Sequence, residues 1–239
     1  MRILEGEGVK KYFGGLAAVA HVDFYINQGE IVGLIGPNGA GKTTLFNLIS
    51  GSLAPTSGII RFKDENITGL KPHQICKRGM ARTFQLVKLF GEMTVLENTL
   101  LGFLFGTGTV VSNSKAKRES LELLEFVGLS AMKKVLGKEL TIANQKRLEV
   151  ARALATKPEL LLLDEVMAGL NPTEIAQGTE LIRKIRDKGI TIFMIEHVMK
   201  AIMDISDRII VLHYGEKIAE GTPEEIAENR AVIEVYLGT

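Results

Sequence analysis

One glycine-rich segment constrains the fold of this chain more than any other feature. Residues 36–43 read Gly-Pro-Asn-Gly-Ala-Gly-Lys-Thr, which fits the pattern G-x-x-x-x-G-K-[ST]. An uninterrupted apolar run, 31–35, precedes the segment, and a helical pattern, 42–50, follows it. Inward-pointing N–H groups of such a loop and the positive end of the following helix cradle a polyphosphate. The sequence therefore predicts a parallel α/β fold that binds a nucleotide.

The residues of this loop have different expected roles. Lys42 is expected to reach the β- and γ-phosphates, and the hydroxyl of Thr43 to hold Mg²⁺. Further contacts with the nucleotide are expected from the rest of the segment and the next residue: Gly36, Asn38, Gly39, Ala40, Gly41 and Thr44. The alternative, a glycine-rich turn without function, does not account for the strand and helix patterns on either side.

Two more buried-strand patterns end in polar residues. Asp164 and Glu165 follow four consecutive leucines, and His197 comes two residues after the run 191–195. Parallel strands bind ligands at their carboxyl ends, so these side chains are expected near the phosphate loop. Asp164 is then a candidate for holding Mg²⁺ through water, and Glu165 for orienting an attacking water. Position alone leaves a surface or core role open for His197.

Composition limits where function can reside. The chain has 239 residues with 29 Lys+Arg against 28 Asp+Glu, so its formal net charge is +1. No bulk field recruits nucleic acid or an anionic membrane, and one cysteine cannot form an intrachain disulfide. The longest uncharged stretch, 98–114, is too short and too rich in glycine to span a bilayer. These features predict one soluble cytosolic domain.

The patterns along the chain give its expected organisation. Strands alternate with helices before and after a more helical middle, and helices are predicted over 119–127, 145–156 and 172–188. A hairpin pattern turns at Tyr214 and Gly215. After it, Thr222, Pro223 and Glu225 form a capping box that is expected to begin the last helix.

Together the motifs carry a resemblance. The phosphate loop, Asp164-Glu165, Gln85 after Arg82-Thr83-Phe84, and His197 have the order and spacing of the ATP-binding subunits of ABC transporters, which the chain resembles over essentially its whole length. Within that superfamily it is similar to the branched-chain amino acid importer ATPases, in segments 35–45, 79–85, 93–98, 168–172 and 219–238.

This resemblance implies the architecture. We expect a P-loop (RecA-like) α/β nucleotide-binding core with an N-terminal antiparallel β subdomain and an inserted helical subdomain, all in a single ABC ATP-binding domain, 1–239. The core and β subdomain would comprise 1–85 and 157–239, and the helical subdomain 86–156. The uncharged run 98–114 would then lie partly near the permease interface.

The resemblance also implies residue roles with ATP and Mg²⁺ as ligands. Phe13 matches the aromatic that stacks on adenine, with Tyr12 as a rival. Gln85 matches the glutamine that contacts Mg²⁺ and the attacking water and lies next to the permease. His197 matches the histidine that contacts the γ-phosphate. Glu165, His197, Gln85 and Lys42 form the predicted catalytic set, and Thr43, Gln85 and Asp164 the metal set.

One segment departs from the family pattern. Where the family has Leu-Ser-Gly-Gly-Gln, which faces the ATP held by a second ATP-binding subunit, this chain has residues 140–144, Leu-Thr-Ile-Ala-Asn. Thr141 keeps a hydroxyl and Asn144 a shorter amide. Ala143 adds a Cβ that is expected to restrict φ and to crowd the γ-phosphate. Val166 and Asn171 also differ from the usual proline and aspartate. A heterodimer, with an intact segment on the partner, is therefore favoured over a homodimer.

The resemblance thus implies an ATP-hydrolysing subunit that powers a membrane importer, most readily for branched-chain amino acids. Two alternatives stay open: an ATPase of another ABC system, for urea import or lipopolysaccharide export, and an ATP-binding regulatory subunit with weak hydrolysis. The implied partners are a second ATP-binding subunit, transmembrane permease subunits and, indirectly, a solute-binding protein, but no nucleic acid. The implied location is cytoplasmic, on the inner face of the cell membrane.

Overall fold

A ten-stranded sheet organises the described part of the chain. The computed structural model describes residues 1–106 and 112–237. The strands of this sheet are β1 Arg2–Phe13, β2 Leu16–Asn27, β3 Ile31–Ile35, β4 Ser57–Phe62, β5 Glu65–Asn66, β6 Met80–Arg82, β7 Leu160–Asp164, β8 Thr191–Ile195, β9 Arg208–His213 and β10 Glu216–Gly221. The helices of the same ranges are α1 Lys42–Ile49, α2 Pro72–Cys76, α3 Val95–Phe105, α4 Asn113–Phe126, α5 Ile142–Ala155, α6 Pro172–Asp187, α7 Met199–Ile205, α8 Pro223–Glu228 and α9 Arg230–Leu237.

The sheet has an antiparallel and a parallel part. Its strand order is β5-β4-β1-β2-β10-β9-β3-β8-β7-β6. Strands β1, β2, β4 and β5 pair antiparallel, whereas β9, β3, β8, β7 and β6 pair parallel. The hairpin β9–β10 joins the two parts, since β10 also contacts β2. The predicted α/β core with an N-terminal antiparallel β subdomain is confirmed.

The central strands are buried on both faces, as their unbroken apolar runs predict. Alternate residues of β3 enter different cores: Ile31 and Ile35 pack with residues of α5, α6 and α7, whereas Val32 and Leu34 pack with α1 and the antiparallel strands. In the second core the rings of Phe46 and Phe193 are 5.0 Å apart. Because helices and the β subdomain cover both faces, the residues at the carboxyl ends of these strands form the accessible edge.

Two predicted helices begin earlier than their apolar patterns indicate. The one expected from 145 starts at Ile142, because the hydroxyl of Thr141 accepts a hydrogen bond from the N–H of Asn144 and caps it. The one expected from 119 starts at Asn113, after a cap by Ser112. Polar caps therefore begin both helices before the apolar patterns from which they were predicted, and the added turns bury Ala116 and Ala143.

The C-terminal helix prediction is partly wrong. The capping box is present, with the Thr222 N–H donating to Glu225 Oε2 at 2.8 Å and the Glu225 N–H to Thr222 Oγ1 at 3.3 Å. However, α8 is not the last helix. The side chain of Asn229 accepts from the N–H of Val232 at 3.2 Å, and this contact begins α9.

The uncharged run 98–114 divides between core and surface. Asn98 and Thr99 are fully buried in α3, whereas Phe105 is 73% exposed. Residues 107–111 of the run lie outside the described ranges. Among the residues that the structure does describe, no helix has both the length and the apolar character needed to cross a bilayer.

Candidate functional site

The phosphate loop requires glycine for steric reasons. Gly36 has φ +150°, and a Cβ there would lie 2.1 Å from the carbonyl oxygen of Leu212. Gly41 has φ +100°, and its Cβ would lie 2.3 Å from the carbonyl oxygen of Ala18. Any side chain at either position would collide with backbone of β2 or β9, so neighbouring strands hold the loop in the tight form that the sequence predicts.

Lys42 folds back over this loop. The residue is only 6% exposed, and its ammonium donates to the carbonyl oxygens of Gly36 at 2.7 Å and Pro37 at 3.0 Å. Burial lowers the pKa of Lys42, whereas the nearby Glu165 and Asp164 raise it. Thr43, Asn38 and Gly39 are exposed beside it. The loop thus presents a cation and the start of α1 to an anion.

Asp164 ends β7 in a buried ion pair. Its Oδ2 is 2.9 Å from an Nη atom of Arg82, and the guanidinium also donates to Asn47 at 2.7 Å and Ser50 at 2.8 Å. Burial raises the pKa of Asp164, while the hydrogen bond from Arg82 lowers it. Among the described residues, the other carboxylate oxygen, Oδ1, has no hydrogen-bond partner. A buried carboxylate oxygen without a donor is favourable only where a cation or water completes it.

The structure brings three predicted residues together. Glu165 Oε1 is 2.8 Å from His197 Nε2, and Glu165 Oε2 accepts a hydrogen bond from Gln85 Nε2 at 3.0 Å. The pairing of β7 with β8 explains this placement, since Glu165 and His197 follow adjacent strands. Glu165 itself has φ +52°, an uncommon conformation for a residue with a Cβ. A carboxylate whose orientation is fixed by a contact to each oxygen can orient a water and accept its proton.

The aromatic candidates lie on a hairpin tied to the phosphate loop. Phe13, at the end of β1, is 48% exposed, and Tyr12 is 41% exposed, so exposure does not separate them. The Gly215 N–H donates to the carbonyl oxygen of Ala40 at 3.0 Å, and the N–H of Ala20 in β2 donates to that of Gly215 at 2.8 Å. These bonds connect the hairpin β1–β2 to the loop, and either ring can stack on a planar ligand.

The segment 140–144 forms the start of α5. Asn144 Nδ2 donates to the sulfur of Met132 at 3.3 Å, which uses one of the two N–H groups of its amide. Ala143 lies within the helix with ordinary φ and is 8% exposed. The expectation that Ala143 restricts φ is therefore wrong, because alanine adopts helical φ freely. Among the described residues no hydrogen bond joins Thr141, Ala143 or Asn144 to the phosphate loop of the same chain.

Sequence reasoning missed two buried charges behind the site. Lys146 on α5 is 8% exposed and its ammonium donates to the carbonyl oxygens of Glu165 and Ala168, both at 2.7 Å. Glu196 is 1% exposed and accepts from the N–H of Met167 at 2.7 Å. Burial lowers the pKa of Lys146 and raises that of Glu196 to about 7.

Two signals in the sequence could have found them. Glu196 directly follows an apolar strand, as Asp164 ends one. Lys146 stands at helical spacing between Ala143 and Val150, on the apolar face of its helix.

The chain has extensive similarity to known proteins. The family model described as ABC transporter matches residues 19–168, and one described as branched-chain amino acid ATP-binding cassette transporter matches 216–239. The high-affinity branched-chain amino acid transport ATP-binding protein BraF of Pseudomonas aeruginosa is 43% identical, over 99% of this chain and 98% of that protein. Its counterpart LivG of Escherichia coli is 45% identical over the same shares.

A solved structure agrees with these matches. The crystal structure of the ADP conformation of an ATP-binding cassette of an ABC transporter superposes with a TM-score of 0.91 at 33% identity, and all of both chains is covered. Family model, relatives and fold coincide over the phosphate loop and the carboxylates described above. The chain therefore belongs to the ABC transporter family, in which it is an ATP-binding cassette and an ATPase.

Proposed function

We propose that this chain hydrolyses ATP to drive the import of branched-chain amino acids through membrane permease subunits, bound to their cytoplasmic side. One observation carries the hydrolytic part: Glu165 is held between His197 and Gln85 at the end of β7, beside the phosphate loop. The solute class is supported by the names of BraF and LivG, which are 43% and 45% identical to this chain.

The residues of the site also fit Mg²⁺. The donor set is oxygen from the Thr43 hydroxyl, the Asp164 carboxylate and the Gln85 amide, which is what this hard cation prefers. The buried Oδ1 of Asp164, unpartnered among the described residues, is the atom that a cation would complete. When bound, Mg²⁺ would neutralise part of the charge on the phosphates.

The chain's own residues supply binding and orientation. Lys42 and the backbone N–H groups of the loop, with Asn38, Gly39 and Thr44, bind the phosphates, and Phe13 stacks on adenine. Glu165 accepts a proton from the water that it orients, and Gln85 helps to place that water. His197 donates toward the γ-phosphate. Positioning and fixed charge therefore account for the chemistry that these residues contribute.

Contacts with the permease are proposed beside Gln85. A groove of about 960 Å³ lies between the core and helices α3 and α5, and its lining includes Phe84, Phe90 and Phe105. Exposed Leu86, at 79%, lies next to Gln85 in the chain. Closure of the nucleotide site would move the helical segment 86–156, and Gln85 with it, against the permease. A solute-binding protein would deliver the amino acid to that permease.

Transport by the purified complex tests this function. The tagged chain is expected to co-purify with its permease. In proteoliposomes whose lumen contains ATP and faces the ATP-binding subunits, the complex should accumulate leucine at least about tenfold above an otherwise identical Glu165→Gln complex. Uptake of labelled leucine and of labelled urea are measured in parallel. Accumulation of urea in place of leucine, or a complex without a permease, would refute the proposed import function.

We also propose that the working unit pairs this chain with a different ATP-binding subunit. The altered segment 140–144 supports the asymmetry, because the shorter Asn144 amide donates to Met132 of its own chain and Ala143 adds a Cβ where the family has none. The isolated chain is expected to turn over ATP at least about tenfold more slowly than the reconstituted pair. The matched variant Ala143→Gly, which removes only the Cβ, should raise the ATP turnover of the isolated chain toward that of the pair. Equal turnover per site in a homodimer would contradict the asymmetry.

A further inference from the structure

Two buried side chains, Lys146 and Glu196, hold the loop that carries Glu165. This loop runs from the end of β7 to the start of α6, residues 165–171. From one side Lys146 donates to the carbonyl oxygens of Glu165 and Ala168, each at 2.7 Å. From the other side Glu196 accepts from the N–H of Met167 at 2.7 Å. Three backbone groups within four residues are thus hydrogen-bonded by two buried side chains.

These contacts hold an unfavourable backbone conformation. Glu165 has φ +52°, a region that residues with a Cβ seldom occupy and that persists only where the surroundings fix it. The N–H of Glu165 donates to the carbonyl oxygen of Ile195 at 2.9 Å, while Lys146 binds its carbonyl oxygen. Both ends of the Glu165 backbone are therefore fixed, and this fixes the direction in which its carboxylate leaves the chain.

Burial opposes the charged form of both side chains. Lys146 occupies a core position of α5 that an apolar residue of similar length would fill, and the charged form costs desolvation there. The second oxygen of Glu196, Oε2, is buried without a hydrogen-bond partner among the described residues. Polar side chains buried at such a cost indicate that the loop to which they are hydrogen-bonded must be held in one position.

We propose that Lys146 and Glu196 are positioning residues, which hold the loop 165–171 so that the Glu165 carboxylate stays between His197 and Gln85. This inference rests on the proposed function, since it gives Glu165 its role. Lys146 lies two residues after the segment 140–144, within which α5 begins. A shift of that helix, when the segment meets nucleotide held by the second subunit, is passed through the ammonium to Glu165 of the same chain.

Paired variants of the reconstituted complex test the proposal. Lys146→Met keeps the length of the side chain and removes the donors, whereas Lys146→Arg keeps donors and charge. Glu196→Leu removes the acceptor, whereas Glu196→Gln keeps one. Leu154→Ala is the control, because Leu154 lies two turns further on the same helix and is buried beside Phe126 and Ile185, in a cavity that no residue of the loop lines. The measurements are kcat, KM for ATP, thermal stability and amide hydrogen exchange in 165–171.

The expected results separate position from general stability. Lys146→Met and Glu196→Leu should lower kcat by about tenfold or more, change KM by less than about threefold, and speed exchange of the Met167 amide by about tenfold. Lys146→Arg and Glu196→Gln should keep kcat and the exchange of the Met167 amide close to their wild-type values. Leu154→Ala should lower thermal stability and leave both kcat and the amide exchange of 165–171 unchanged. If either removal variant fails to fold, the other pair gives the result.

Two outcomes overturn the proposal. One is wild-type kcat and wild-type amide exchange in both removal variants. The other is a loss of kcat that only follows the loss of thermal stability, with the same ratio of the two in Leu154→Ala. Failure of the proposed function gives a different pattern, because Glu165→Gln would then hydrolyse ATP as fast as the wild type. If Glu165→Gln is inactive and Lys146→Met is normal, only the positioning role falls.

Discussion

Glu165→Gln should lower the ATP turnover of the complex by about 10²- to 10⁴-fold and leave ATP binding nearly unchanged. The amide has the volume of the carboxylate and can keep hydrogen bonds at the positions of His197 and Gln85. It cannot take the proton of an attacking water. Phosphate release and the binding of a fluorescent ATP analogue measure the two effects separately.

Glu180→Gln is the matched control for this variant. The substitution is chemically the same, but Glu180 lies on the surface of α6, where its carboxylate pairs with Lys184 at 3.6 Å. Turnover in that control should equal the wild type. A wild-type rate no higher than that of Glu165→Gln would instead favour a regulatory subunit that binds ATP without appreciable hydrolysis.

Arg82→Met should destabilise the chain by about 3–5 kcal/mol, because it leaves Asp164 as an uncompensated buried charge. The pair is almost completely buried, with side-chain exposures of 7% for Arg82 and 1% for Asp164. The substitution also removes the donors to Asn47 and Ser50, which tie α1 to β6. The free energy of unfolding from chemical denaturation measures the loss.

An exposed pair and a double variant complete this test. Lys138→Met breaks the ion pair of Lys138 with Glu92, whose side chains are 52% and 81% exposed, and should leave the free energy of unfolding nearly unchanged. The double variant Arg82→Met with Asp164→Asn should recover part of the loss, because it removes the isolated charge as well. A loss for Arg82→Met as small as that for Lys138→Met would show that the buried pair does not stabilise the fold.

Sequence reasoning located those parts of the site that depend on local pattern and sheet geometry. Gly36 and Gly41 belong to a short motif with a steric cause, and Glu165 and His197 follow buried parallel strands, whose carboxyl ends meet. Their proximity therefore followed from two short runs of apolar residues. The solute class had no such basis and came only from resemblance, since in the family no solute contacts this subunit.

The parts that could not be predicted depend on contacts distant in sequence. Arg82 and Asp164 are 82 residues apart, and nothing in either local segment specifies the other as a partner. The helical spacing of Lys146 places it on the apolar face of its helix, but nothing local indicates that it binds carbonyl oxygens of the loop 165–171. Ala143 shows the opposite error, since an argument about φ was applied before the helix start at Ile142 was known.

The position of β3 has a consequence for the order in which the nucleotide site forms during synthesis. This strand leads into the phosphate loop, yet both of its neighbours, β8 and β9, come from the C-terminal part of the chain. Around it, the N–H of Gly29 bonds Thr191 across 162 residues, and that of Ile31 bonds Asp207 across 176. Contacts so remote form only after a long loop closes. On the ribosome, the strand that leads into the phosphate loop therefore gains both of its neighbours only after residues 191–213 have emerged, when nearly all of the chain has been made.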